Sequence, residues 1–310
     1  MKPGGAAPRP RALRAGARVA LVAPAGPVDT ERIERAAARC RALGLEPVVM
    51  PCAAARERYM AGTDAQRLAD LQAAFDDPSV GCVWALRGGY GTLRIVEALS
   101  LERQRREPVP FIGFSDNTSL HVRHAELGVV SFHGPHAPDD GLPEAAEAWL
   151  HRVLFEPVPA GRLPVAAGGP EPLPLRPGRA EGPLVGGNLA ILAALCGTRH
   201  APRTAGCIVF LEDVGEAAYR VDRMLVQLER SGALRGAVGL AFGRFTAPAD
   251  DPFPVVDVLA ELAERLSLPA VANLPFGHVR ANFVIPVGAR ARLDAGATTL
   301  EILEPAVAPA

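Results

Sequence analysis

Lysine is almost missing from this chain: Lys2 is the only one, and every other basic residue is arginine. We read this as a coding bias rather than a binding signature. Charge of one sign is missing too. Acidic and basic side chains cancel to a formal net charge of −1, and the arginines are scattered apart from short clusters such as Arg103, Arg105 and Arg106. A chain without a basic face has little to attract nucleic acid or an anionic lipid surface, so neither is expected as a partner. The five cysteines, Cys40, Cys52, Cys82, Cys196 and Cys207, are odd in number and include no C-x-x-C pair. They read as small buried hydrophobes in a reducing compartment, not as a disulfide framework. No segment reaches the ~18 uninterrupted apolar residues needed to span a bilayer. The opening MKPGGAAPRPRALRAG has no apolar core of signal-peptide length. The expectation is a cytoplasmic protein with a frayed arm over residues 1–16.

What is present is enough apolar material for a core: 49% hydrophobic against 22% charged residues, far from the composition of a disordered chain. From residue 17 to 155, short β-branched runs alternate with helical stretches, the pattern of a parallel sheet covered by helices. Strands are expected at Val19–Ala23, Pro47–Met50, Cys82–Leu86, Val109–Phe114 and Val129–Phe132. A helix over Thr30–Leu43 stops at Gly44, and another over Asp64–Phe75 opens with the capping box of Thr63 and Gln66. This half reads as a doubly wound α/β domain, flavodoxin- or glutamine-amidotransferase-like. Residues 156–183 are dense in proline and glycine without helical or strand period, and read as a linker. Residues 184–310 read as a smaller mixed α/β domain rich in antiparallel strands. Its helix Tyr219–Arg230 places Val221, Met224, Leu225 and Leu228 on one buried face. Ala291–Asp294 and Thr298–Leu303 form a closing hairpin.

Ligand sites in open α/β sheets gather at the carboxyl ends of the strands. Three such loops carry chemistry: Arg87-Gly88-Gly89-Tyr90-Gly91, Ser115-Asp116-Asn117 and His133-Gly134-Pro135-His136. A serine between an apolar strand and a helix start can be a nucleophile on a sharp elbow. It can equally be a helix cap, and Asn117 departs from the G-x-S-x-G elbow of α/β-hydrolases. Gly88 and Gly89 can turn amide N–H groups toward an oxyanion or form a plain tight turn. The P-loop is excluded because no Gly-Lys-Ser/Thr follows. Two polar residues emerge from apolar runs elsewhere, Glu212 after Ile208–Leu211 and His278 after Leu274-Pro275-Phe276-Gly277. With Ser115 they supply the nucleophile, base and orienting acid that a serine hydrolase needs. His121 with His124, and His133 with His136, lack a third ligand or H-E-x-x-H spacing, so metal catalysis is not expected.

The chain resembles the LD-carboxypeptidases, serine peptidases that include muramoyltetrapeptide carboxypeptidase and the microcin C immunity peptidase. The resemblance rests on Ala61-Gly62-Thr63-Asp64 with Arg67 and Asp70-Leu71, Arg87-Gly88-Gly89-Tyr90-Gly91, Gly113-Phe114-Ser115-Asp116, His133-Gly134-Pro135, Gly186-Gly187-Asn188-Leu189, Glu212-Asp213, Asp222-Arg223-Met224-Leu225 and Phe276-Gly277-His278. These blocks run in the family's order from about Arg18 to Asp294. The resemblance implies Ser115 as nucleophile, His278 as base, Glu212 as its acid, and an oxyanion hole from the Asp116 amide with Gly88 or Gly89. Candidate substrate contacts are Arg87, Tyr90, His133, Asn188 and Arg223. One departure stands at His136, where relatives often carry methionine, and it bears on the pocket wall.

The implied reaction needs no cofactor: hydrolysis of the bond between a diamino acid's L-centre and a terminal D-alanine in a murein tetrapeptide, by a homodimer. A microcin-immunity-type peptidase acting on aminoacyl-nucleotide conjugates is the alternative. It would need an aromatic surface for adenine, and the chain's two tryptophans, Trp84 and Trp149, fall inside a strand and a helix. A further alternative is a non-catalytic murein-peptide binder.

Overall fold

The computed structural model describes residues 8–137, 141–165 and 169–310. In chain order the first half contains β1 (Arg18–Val22), α1 (Thr30–Ala42), β2 (Glu46–Val49), α2 (Asp64–Asp76), β3 (Val80–Ala85), α3 (Thr92–Ile95), α4 (Glu102–Arg106), β4 (Phe111–Gly113), α5 (Thr118–Leu127), β5 (Ser131–His133) and α6 (Glu144–Phe155). The second half contains β6 (Pro159–Arg162), β7 (Leu173–Arg176), β8 (Arg179–Asn188), α7 (Leu189–Leu195), β9 (Ile208–Asp213), α8 (Ala218–Arg230), β10 (Gly239–Phe245), α9 (Val255–Leu266), β11 (Ala270–Ala272), β12 (Ile285–Val287), β13 (Arg290–Asp294) and β14 (Thr299–Pro305).

Strands β1 to β5 pair in parallel in the order β2-β1-β3-β4-β5, with the order reversing between β1 and β3. Their apolar runs leave no polar face because helices cover both sides; Val19, Leu21, Val83 and Trp84 are all fully buried. The capping box at Thr63 forms as its spacing requires: Gln66 N–H donates to Thr63 Oγ1 at 3.2 Å, and Thr63 N–H donates to Gln66 Oε1 at 2.9 Å. The second sheet runs β6-β14-β13-β8-β9-β10-β11-β7. Its inner strands β8 to β11 are parallel, and its remaining pairs are antiparallel, including the β13–β14 hairpin. On α8, Val221, Leu225 and Leu228 are buried, while Met224 packs at the edge of that core.

Three expectations about organisation need correction. Residues 156–183 are not a bare linker: they hold β6, β7 and the first half of β8, which belong to the eight-stranded second sheet. Proline and glycine hid these strands, yet β6 and β7 are the two edges of the sheet, where a missing N–H costs no ladder bond. The arm is not frayed over its described part. Ala12 N–H donates to Ala308 O at 2.8 Å, Leu13 N–H donates to Leu154 O at 2.9 Å, and both side chains are buried; residues 1–7 lie outside the described residues. The two halves are also interleaved, since β12 returns to the first sheet and pairs antiparallel with β5 through Ile285 opposite His133.

Candidate functional site

The first sheet ends its central strands on one rim, where the loops after β1, β3, β4 and β5 meet. The chain leaves β4 at Gly113, and Ser115 adopts φ +61°, a left-handed conformation that an L-residue with a side chain rarely takes. A single tight helical turn over Ser115–Asn117 then feeds α5, with Asn117 N–H donating to Phe114 O at 3.2 Å. Such strain persists only where surrounding contacts over-determine it. Here His121, on α5 and fully buried, bridges Gly113 O and Ser131 Oγ at 2.8 Å each, tying β4 to β5 beneath the turn. Asp116 points inward and accepts from both the N–H and the hydroxyl of Thr92 at 2.8 Å. Burial raises the Asp116 carboxyl above its ordinary value.

The glycine loop lies against this turn. A Cβ at Gly88 would come within 2.8 Å of Ser115 Cβ, 3.0 Å of Ser115 Oγ and 3.3 Å of Asp116 N, so only glycine fits there. Gly88 O accepts from Gly26 N–H at 2.9 Å, which joins the loops after β1 and β3 where the strand order reverses. Gly89 and Gly91 take φ +105° and +144°. The loop is braced from below by Arg67, fully buried on α2, whose guanidinium donates to Pro24 O at 2.9 Å and Gly91 O at 2.7 Å and pairs with Asp64. Thus the expected Gly88, Gly89 and Asp116 all stand beside Ser115.

The second sheet brings the acid and the base. Glu212, at the carboxyl end of β9, sits opposite Asn188 of β8 and is fully buried. His278 Nδ1 lies 2.8 Å from Glu212 Oε2. The segment carrying His278 crosses from β11 to β12, that is, from the second sheet to the first. It is pinned by Arg244 N–H donating to Phe276 O, Gly277 N–H to Asn282 Oδ1, and Trp149 Nε1–H to Val284 O. Gly277 takes φ +107°, and a Cβ there would meet Glu212 Oε2 at 2.8 Å. The His278 ring packs on Phe114, the residue before Ser115, with centroids 4.7 Å apart. This tilted ring contact sets the base beside the residue that precedes the serine. No hydrogen bond joins Ser115 Oγ to His278 among the described residues, a looseness common before substrate binds.

The expected substrate contacts divide. Arg87 and Tyr90 are exposed on the rim, Arg87 donating to Pro27 O and Tyr90 packing on Tyr59. Arg223 is exposed on α8 with its guanidinium over the Tyr219 ring. Asn188 is engaged by the protein's own groups. Its Oδ1 caps α7 through Ile191 N–H at 3.3 Å, its Nδ2 donates to Asp213 at 3.0 Å, and it is buried because the chain needs its side chain to start α7. His133 is likewise fully buried, behind Glu212 rather than on the pocket wall. His136 fills the space between Phe114, at 4.3 Å between rings, and Asn117. Burial holds its imidazole down to about 3, so it is neutral at ordinary pH. Sequence reasoning missed Gly26, Thr92 and Asn282; only the small, turn-forming Ala25-Gly26-Pro27 after β1 gave a signal.

A strained serine on a strand-to-helix turn, a glycine loop against it and a partly exposed histidine held by a buried glutamate beside it define the serine-hydrolase class of site. Residues 19–134 match the model of the LD-carboxypeptidase N-terminal domain, and residues 181–293 match that of the LD-carboxypeptidase C-terminal domain. A putative carboxypeptidase of Streptomyces coelicolor is 44% identical over 96% of this chain and 97% of its own length. The murein tetrapeptide carboxypeptidase of Pseudomonas aeruginosa is 38% identical over 89% of this chain and 93% of its own. The crystal structure of a muramoyltetrapeptide carboxypeptidase from Oxalobacter formigenes superimposes with a TM-score of 0.81 at 32% identity, covering 94% of this chain and all of that one. The microcin C7 self-immunity protein superimposes with a TM-score of 0.87 over 97% of this chain and all of that one, but at 19% identity, which speaks for the shared fold alone. The chain belongs to the LD-carboxypeptidase family.

Proposed function

We propose that this enzyme is a serine carboxypeptidase that removes the terminal D-alanine of murein tetrapeptides, with Ser115, His278 and Glu212 as its triad. The observation that carries the reading is the Glu212–His278 bond held against Phe114, next to a serine kept in a strained conformation. Ser115 Oγ attacks the carbonyl before the D-alanine while His278 Nε2 takes the hydroxyl proton. Glu212, on Nδ1, keeps the ring in the tautomer that leaves Nε2 free and offsets the imidazolium charge. The amides of Asp116 and Gly88 or Gly89 receive the oxyanion. The C–N bond breaks as His278 returns its proton to the departing amine. Water, deprotonated by the same imidazole, then hydrolyses the acyl-enzyme. Arg87, Tyr90 and Arg223 are the exposed candidates for the peptide's carboxylates.

The names and high coverage of the relatives support the murein substrate. The resemblance also supports a homodimer working in the cytoplasm on peptides returned from the wall. The test is incubation with L-Ala-γ-D-Glu-meso-diaminopimelate-D-Ala, with free D-alanine measured. Wild type releases it; Ser115→Ala reduces kcat by ~10⁴-fold or more, the scale of nucleophile removal in other serine hydrolases. An aminoacyl-nucleotide conjugate run in parallel tests the microcin-type alternative. Tetrapeptide untouched by wild type overturns the murein reading, and equal release by both proteins overturns Ser115.

A further inference from the structure

Among the described residues, two buried side chains at the acid end of the triad carry polar atoms without a hydrogen-bond partner. Glu212 is fully buried, and only Oε2 is engaged, by His278; Oε1 has no hydrogen-bond partner. His133 is fully buried as well, and neither ring nitrogen has a partner. The two face each other, with His133 Nε2 3.9 Å from Glu212 Oε1. An unsatisfied buried donor or acceptor is costly, so a movement that pairs both at once is strongly favoured.

The surroundings leave His133 little else to do. Its ring packs edge-on to Phe114 at 5.9 Å and Phe210 at 5.2 Å between centroids. The titratable groups facing it are Glu212 from β9, His121 from α5, His136 from the loop after β5 and His278 from the crossing before β12. Burial holds His133 well below the ordinary histidine value. It is therefore a neutral ring with one N–H to give.

We propose that His133 is a positioning residue for the reaction, closing by about 1 Å to donate Nε2–H to Glu212 Oε1 and so fixing the carboxylate that orients His278. The inference rests on the triad roles assigned above. With one oxygen held by His133 and the other by His278, the carboxylate cannot rotate away from the base. The donor also stabilises the form in which Glu212 is charged and His278 neutral, the form that can accept the serine proton. Without it the pair holds a proton more tightly, and the acid limb of the pH–rate profile moves to higher pH.

Two variants separate positioning from packing. His133→Leu keeps volume but has no donor, and is expected to lower kcat ~10–100-fold with KM little changed, the range seen when a supporting bond to an active-site ligand is lost. The acid limb of its kcat/KM profile moves up by about half a pH unit or more. His133→Gln keeps a donor and is expected to recover most of the activity and the wild-type profile. Equal losses in both variants with unmoved pH profiles would mean the ring only fills space, and would overturn the proposal. A second readout needs no substrate: nitrogen-15 imidazole spectra of the whole protein should show His133 protonated at Nε2, with that proton hydrogen-bonded to a carboxylate. An Nε2 that carries no proton, or one that is not hydrogen-bonded, overturns this inference alone. Absent D-alanine release from wild type overturns the substrate reading alone.

Discussion

Ser115 sits in a turn made by its near neighbours in sequence and braced by Thr92, whereas Glu212 and His278 are held by each other and by residues far along the chain. The serine's conformation follows from β4 ending at Gly113 and α5 starting at Thr118, with the buried His121 and Thr92 locking the turn. The acid and base sit 66 positions apart and meet only because the chain crosses from one sheet to the other through residues 274–284. Strain in a local turn is fixed by short-range geometry, and orientation of a distant pair is fixed by tertiary packing. Damage to the two should therefore differ in kind.

Substitution of the glycine that guards each half gives the largest expected contrast. Gly277→Ala puts a methyl group against Glu212 Oε2 at a backbone angle of φ +107°, so both the strand crossing and the acid–base bond must shift. We expect a ~100-fold or greater fall in kcat together with ~1–3 kcal/mol lost in urea unfolding, the cost of forcing a side chain into such a conformation. Gly88→Ala has no such backbone penalty and meets only Ser115 and Asp116 N. It should lower kcat as severely while leaving stability within about 1 kcal/mol. If both variants lose activity and stability in equal measure, the distinction between a local nucleophile turn and a tertiary acid–base crossing fails.

Legibility follows the same division. β1 to β5, the capping box at Thr63 and the helix over Tyr219–Arg230 could be read because their signals are local: apolar runs, a 3.6-residue period and cap residues. β6, β7 and β8 could not, because Pro159, Pro174 and Gly182 weaken every local strand signal, and their pairing partners lie up to more than a hundred residues away. Ser115, Glu212 and His278 stood out as polar residues at the ends of apolar runs and together supplied the three parts of a triad, and the family resemblance then added the order of their motifs along the chain. Asn188 and His133 were expected at the substrate, and both are buried among the protein's own groups. A motif says that a side chain matters, but only packing says whether it faces substrate or supports a neighbour.

Acid should separate the two halves next. His121 and His124 on α5 are fully buried, and burial pushes them down to about 3 and about 4. The unfolded chain takes up protons near the ordinary value of 6.5, well above the folded values, so their contribution is present above that pH and is lost as pH falls toward 4. Asp213 on β9 behaves oppositely. Burial, with Glu212 nearby, raises it to about 6, so the folded state binds its proton more readily than the unfolded one, and its contribution grows as pH falls from about 6 toward 4. Hydrogen exchange at pH 5 against pH 7, corrected for intrinsic rates, should show protection lost over β4, α5 and β5 and retained over β9. Uniform loss across both sheets would mean that these buried groups do not set the acid response.

The smallest effect separates support from substrate contact on the acid side. Asn188→Ala removes the cap of α7 and the donor to Asp213 Oδ1, while Asp213 keeps the N–H groups of Ala190 and Val214. A lost cap costs about 1 kcal/mol, so the midpoint of urea unfolding should fall by a corresponding amount. Because the side chain is buried and committed on both ends, KM for the tetrapeptide should stay within ~2-fold, well under the factor of ten that a lost 1.4 kcal/mol substrate bond would produce. A KM raised tenfold at unchanged stability would reverse the assignment and place Asn188 on the substrate after all. In that event the carboxyl end of β8 would join the pocket, and the acid side would recognise the peptide as well as orient the base.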